Sequence, residues 1–232
     1  MTDYVPPVPP GPLSDDPDPA RTGPAWEQDG SWFSRFAQTT QALLVSPGAF
    51  FTTMRRAGGL GEPVAFGVIG SVLGGVVSAV YNMLLSTTMA GLQGAGAARE
   101  QAFMGMFSTG CMILILPIAT VIGMFVGAGI YHLMLMLLGG ARRPFETTLR
   151  VAAYTNGATA VLNLVPICGA FAAAIYAIVA NIIGLAKAHE ISTGKAAAAV
   201  LLPVVICCTL VLIFYAAIAA IIVGGIMGAA QQ

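Results

Sequence analysis

The ionic side chains of this chain, ten Lys or Arg and ten Asp or Glu in 232 residues, are gathered so that four long stretches contain none. Residues 63–98, 101–141, 151–186 and 196–232 are runs of 36, 41, 36 and 37 residues without a charge. A water-soluble domain carries about 25% charged residues spread over its surface. Here the figure is 9%, against 57% hydrophobic residues and a mean hydropathy of +0.83. A bilayer is crossed by about 20 apolar residues in a helix, so runs of this length predict an all-α, polytopic membrane protein. The formal charge of zero gives neither the basic excess of a nucleic-acid binder nor the acidic excess of a solvating tail.

Outside the runs the chain changes character. Residues 1–30 hold eight of the fourteen prolines with Asp3, Asp15, Asp16, Asp18, Glu27 and Asp29. Such a composition buries too little apolar surface to offset chain entropy, and predicts a disordered, partly polyproline tail. It lacks the basic flank and apolar run of a signal peptide, so the first span is expected to direct insertion. Residues 31–62 predict interfacial helices. Over 31–45, Trp32, Phe33, Phe36, Ala37, Leu43 and Leu44 share one helical face and Ser34, Arg35, Gln38 and Gln41 the other. Ser46-Pro47 then reads as N-cap and first helical residue of a helix over about 47–57, presenting Phe50, Phe51 and Met54 and ending at Arg55-Arg56. It is expected to lie on the bilayer or to pack onto the protein, with its arginines at the phosphates.

Residues 63–226 predict five spans, at about 64–87, 103–138, 147–165, 168–187 and 197–225, with a turn at Val165-Pro166-Ile167-Cys168-Gly169. Cytoplasmic loops carry the Lys and Arg excess. From residue 31 onward, five crossings put eight cationic side chains on one side and only Arg99 on the other; splitting or merging a window mixes them. The N-terminus is then cytoplasmic and the C-terminus outside, most simply in the inner membrane of a prokaryote. Small residues at Gly70-x-x-x-Gly74, Gly123-x-x-x-Gly127, Ala173-x-x-x-Ala177 and Ala180-x-x-x-Gly184 predict close helix contacts. Cys111, Cys168, Cys207 and Cys208 read as packing residues, not as a disulfide framework.

Catalytic motifs do not assemble. His189-Glu190 begins an HExxH pattern, but residue 193 is Thr, so a second zinc ligand is missing. Ser192-Thr193-Gly194-Lys195 lacks the earlier glycine of a phosphate loop. The chain is expected not to be an enzyme and to need no cofactor or metal. What the spans do hold is neutral polar side chains: Tyr81-Asn82, Tyr176, and a candidate cluster of His132, Tyr154, Asn156, Asn163 and Asn181. In lipid each needs a partner, since an unsatisfied polar group costs several kcal/mol. They serve either to bond helices together or to line a polar path. Arg55, Arg56, Arg142, Arg143, Arg150, Lys187 and Lys195 are candidate contacts for anionic headgroups or a protein partner at the cytoplasmic face.

One set of residues resembles a known family. Residues 47–66, PGAFFTTMRRAGGLGEPVAF, precede a span. They are followed by His132-x6-Gly139-Gly140 and by Phe145-x3-Leu149-Arg150-Val151-x2-Tyr154. Pro166-x2-Gly169 and Gly184-x4-His189-x5-Lys195-Ala196 complete the pattern. In this order and spacing, over about 46–210, the chain resembles the Yip family of Ypt/Rab-interacting membrane proteins in its prokaryotic branch. The resemblance implies five spanning helices and a cytoplasmic N-terminus. Eukaryotic members bind Rab-type GTPases and carry an acidic Leu-Tyr-Gly-Pro-type motif ahead of the membrane; residues 1–46 hold no counterpart, so Rab binding does not carry over. The expected activity is that of a membrane-organising or partner-recruiting scaffold, its partners being lipids, proteins at the cytoplasmic face and a second copy of the chain. The competing expectation is a small transporter, channel or lipid-moving protein with a polar path near His132.

Overall fold

The computed structural model describes residues 21–166 and 168–229, of which 220–229 only as helix backbone. Within them lie seven α-helices and no strand: α1 Trp32–Val45, α2 Pro47–Thr53, α3 Gly61–Gly91, α4 Ala95–Leu137, α5 Phe145–Ala160, α6 Cys168–His189 and α7 Thr193–Ala229. Four of these, α3, α4, α6 and α7, are long and apolar enough to cross a membrane. The expected span at 147–165 is a helix, but not an apolar one. It carries Glu146, Arg150, Asn156 and four threonines, and twelve of its 16 residues are buried. A helix enclosed by α1, α3, α4 and α6 has no need of an apolar face.

α5 is the axis of the fold, and glycine brings α3 onto it. A Cβ at Gly70 would stand 2.1 Å from the Gly157 carbonyl oxygen, and one at Gly74 would stand 2.0 Å from that of Ala160. The two helices therefore run in the same direction with backbones in contact, the use expected of Gly70-x-x-x-Gly74. Gly123 and Gly127 behave otherwise: nothing lies within 4 Å of where their Cβ atoms would be, so this pair seals no contact. α4 is continuous through Pro117 and, at 43 residues, about 64 Å long. α3 and α4 pack along each other, and beyond Gly74, where the chain after α5 turns, α3 continues for about five turns.

The N-terminal segments differ most from expectation. Residues 21–30, placed in the disordered tail, are folded into the bundle; residues 1–20 lie outside the described residues. Trp26 is 5% exposed and meets Phe36 and Phe66 edge-on, with ring centroids 6.2 and 5.7 Å away. Its backbone N–H donates to Thr39 Oγ1 at 2.8 Å and its indole N–H to the Glu62 carbonyl at 2.7 Å. α1 buries Phe36, Thr39, Thr40 and Leu43 against protein, while Trp32 and Phe33, one turn ahead, are exposed. The Tyr176 hydroxyl donates to the carbonyls of Leu43 or Leu44, at 3.0 and 2.8 Å, supplying acceptors at the end of α1 with the donor the helix cannot. α2 starts with Pro47 as expected, yet the Ser46 side chain makes no cap bond. Phe50, Phe51 and Met54 are buried, so the apolar side of α2 faces α6 and α5 rather than lipid.

Candidate functional site

Five segments meet at one end of the bundle: residues 55–60 before α3, the α4–α5 turn, the start of α5, the end of α6 and the start of α7. Both long turns here begin with the same backbone device. Gly139 (φ 61°) and Glu190 (φ 55°) are left-handed, and the next residue donates back into the helix, Gly140 to Leu135 and Ile191 to Ala186. This is the usual helix stop, for which glycine is preferred. At residue 190 a glutamate occupies the strained position instead, and its carboxylate pairs with Arg56 and lies 3.8 Å from Arg143. The Arg142 guanidinium donates to the Glu190 carbonyl at 3.0 Å, and Lys195 Nζ to that of Gly139 at 3.4 Å.

Partial burial raises the Glu190 pKa, but the Arg56 hydrogen bond and the charges of Arg56, Arg143 and Arg21 outweigh it and hold the carboxyl below the usual carboxylate range. A depressed folded pKa gives stability that is present above the unfolded value and is lost as pH falls through the folded one. The pairing is thus intact at neutral pH and loosens only in acid. Glu190 is half-exposed, so the contribution is under about 1 kcal/mol. We expect the protection of amides over residues 186–195, taken relative to intrinsic exchange at each pH, to fall on acidification in the natural chain, and Glu190→Gln to abolish most of that pH dependence.

One turn deeper lies a buried charge. Arg150 is 1% exposed, and its side chain donates to the carbonyls of Arg55 (2.8 Å) and Gly59 (2.5 Å) and to the carboxylate of Glu27. Glu27 also accepts from the Tyr154 hydroxyl, and Arg55 Nε stands 3.7 Å from its second oxygen. Glu146 lies 3.8 Å from Arg150 and accepts from the Gly59 N–H at 2.9 Å. Arg150, expected from its sequence position to meet headgroups or a partner, is instead enclosed within the protein and ties residues 27, 55 and 59 to α5. Arg56 and Arg143 are likewise mostly covered, at 11% and 8% side-chain exposure. Arg55, Arg142, Lys187 and Lys195 are the members of the cationic set that are exposed.

The candidate polar cluster separates into three places. His132 joins a chain of bonds across α4, α5 and α6. The Arg143 N–H donates to His189 Nδ1 at 3.2 Å, so that nitrogen holds a lone pair and the ring is neutral. His189 Nε2 then donates to Thr148 Oγ1 at 2.9 Å, and the Thr148 hydroxyl donates to His132 Nδ1 at 2.8 Å. Each of these three bonds then has one donor and one acceptor, which fixes both tautomers and fastens three helices. Tyr154 is occupied by Glu27. Asn156 and Asn181 meet instead at a groove of 290 Å³ between α4, α5 and α6, while Asn163 lines a separate 550 Å³ groove with Ser78 and Asn82. His132, Tyr154 and Asn156 consequently do not converge on one path. Sequence reading missed Glu27, Thr148 and His189 as partners; the one signal available for Glu27 was its place one residue after Trp26 in a segment otherwise rich in Pro and Asp. Among the described residues no group of three His, Cys, Asp or Glu side chains is placed to hold a metal ion.

Comparison with known proteins adds one result. The family model described as the Yip1 domain matches residues 42–215, from the last turn of α1 to within α7. No curated protein and no solved structure matches the chain.

Proposed function

This chain belongs to the Yip1 domain family of membrane proteins, and on that basis we propose that it is a non-enzymatic scaffold which organises membrane or recruits partners at its cationic end. The observation that carries this reading is the exposure, at a single end, of Arg55, Arg142, Lys187 and Lys195 around an ion-paired centre. Lysines and arginines at a bilayer surface attract anionic lipid at about 1 kcal/mol each. The same end is taken as cytoplasmic by the excess of Lys and Arg there, with the N-terminus inside and the C-terminus outside an inner membrane. A fifth crossing by α5 is supported by its length. With the 3-10 turn at Val161–Leu164 it extends about 32 Å, against a hydrocarbon core of about 30 Å. Its polar residues are sheltered by α1, α3, α4 and α6.

The test is the triple variant Arg142→Gln, Lys187→Gln, Lys195→Gln, reconstituted in vesicles of phosphatidylcholine and phosphatidylglycerol. We expect its selectivity for the anionic lipid to fall by about tenfold or more, and proteins cross-linked to the natural chain in native membranes to be lost. Unchanged lipid selectivity together with an unchanged cross-linked set overturns the reading. Solute flux through vesicles carrying the natural chain is expected to equal that of protein-free vesicles; flux above it would favour a transporter instead.

A further inference from the structure

Polar side chains in the spans mostly satisfy themselves. Asn82, Ser86, Thr88, Ser108 and Thr209 each bond to a carbonyl of their own helix. The groove between α4, α5 and α6 departs from this. Thr155 and Asn181, 1% and 7% exposed, both line it, and neither the Thr155 hydroxyl nor Asn181 Oδ1 has a hydrogen-bond partner among the described residues. Asn181 Nδ2 donates to the Ala177 carbonyl at 2.9 Å, so the amide orientation is fixed and Oδ1 is left as an acceptor. Tyr131 and Asn156 line the same groove, and their side chains make no hydrogen bond with any described residue. Several unpaired polar groups at one place in hydrocarbon cost several kcal/mol each unless something polar joins them.

The surroundings define that partner. Among the described residues no charged side chain lines the groove. Asn181 lies about 12 Å along α6 from His189 at the cationic end, below the level of the headgroups. A phosphate carried to that depth would be desolvated without a counter-charge. On the α4 side Gly123 and Gly127 keep the groove open, with nothing within 4 Å of either Cβ position, and Ile122 and Val126 are exposed beside them. Asn181 Oδ1 and the Thr155 hydroxyl are sealed beneath the groove floor, so the reachable groups are the half-buried Asn156 amide and Tyr131 hydroxyl. The requirement is an uncharged amphiphile that donates to the Asn156 amide oxygen, accepts from the Asn156 amide and the Tyr131 hydroxyl, and leaves its chains along α4. We infer that this groove binds the polar end of a neutral glycerolipid with a free hydroxyl, of the diacylglycerol class. Its hydroxyl supplies the donor and its ester carbonyls the acceptors. The inference rests on the groove alone and is independent of the scaffold reading.

The experiment uses the full chain in phosphatidylcholine vesicles with a diazirine-bearing diacylglycerol. Photolabelling is expected on the groove-lining turns of α4, α5 and α6. Excess unlabelled diacylglycerol should compete, and phosphatidic acid of the same acyl chains should not. Gly127→Leu places a side chain in the groove from its open face and is expected to cut labelling about tenfold, the loss of one or two hydrogen bonds, without altering thermal unfolding. Asn156→Leu is expected to do the same by removing a polar group, and decides the matter if Gly127→Leu folds poorly. Equal competition by phosphatidic acid, undiminished labelling in both variants, or cross-linking of the groove only to a second copy overturns the inference.

Discussion

Glu27→Ala is expected to destabilise the bundle by about 3–5 kcal/mol, the range seen when one member of a buried ion pair is removed. Glu27 and Arg150 are 4% and 1% exposed, so neither can recover its hydration when the other is lost. The Arg150 guanidinium would keep the carbonyls of Arg55 and Gly59 but lose its principal counter-charge, and the Tyr154 hydroxyl would lose its acceptor. Glu146, at 3.8 Å, offsets only part of this. The companion variant Arg150→Met, in the Glu27→Ala background, should regain much of the loss, because an apolar pair of suitable volume replaces a buried ion pair at little cost. Unfolding in mixed micelles gives the double-mutant cycle. Hydrogen exchange over 21–30 gives a local readout, since in the single variant that segment should exchange like a free tail while α3 to α6 remain protected. Equal stability of all three proteins would show that the buried pair does not hold the segment.

Gly70→Ala should be the other severe change, at about 3 kcal/mol, the upper part of the range for overpacking. The added methyl group would lie 2.1 Å from the Gly157 oxygen and 2.7 Å from its Cα, and the obstacle is backbone, so no rotamer change relieves it. α3 must move away from α5, which would also loosen the Phe66 ring from Gly157 and from Tyr154. Gly127→Ala is the control. Its methyl group meets nothing within 4 Å, and its unfolding midpoint should be unchanged or slightly higher. Similar losses in both would mean that helix flexibility, not the α3–α5 contact, is what Gly70 provides.

These two sites mark the limits of what can be read from the residues. Gly70-x-x-x-Gly74 and Gly123-x-x-x-Gly127 are identical as patterns, and only the first is a contact. The difference lies in what stands opposite: Gly157 and Ala160 on α5 for one, open space for the other. Arg150 closes a run of charge and so counts with the surface cations, yet it is among the most buried side chains in the molecule. Its partner is more than a hundred residues away, in a segment whose Pro and Asp content predicts no structure. His132 was recognisable as needing a partner, but Thr148 and His189 could be named only once α4, α5 and α6 were side by side.

The order of the helices, their membrane character and the collection of cations at one end were present in the sequence. They depend on where charge is absent and on the cost of placing charge in lipid, quantities that each residue carries with it wherever it lies in the fold. Which helix became the enclosed axis, which glycines touch, and which arginine is buried were decided by the tertiary structure. Those outcomes depend on the group that arrives opposite. An ion pair, a backbone contact or an unpaired amide has an energy only as a relation between two positions, and the linear order of residues does not contain that relation.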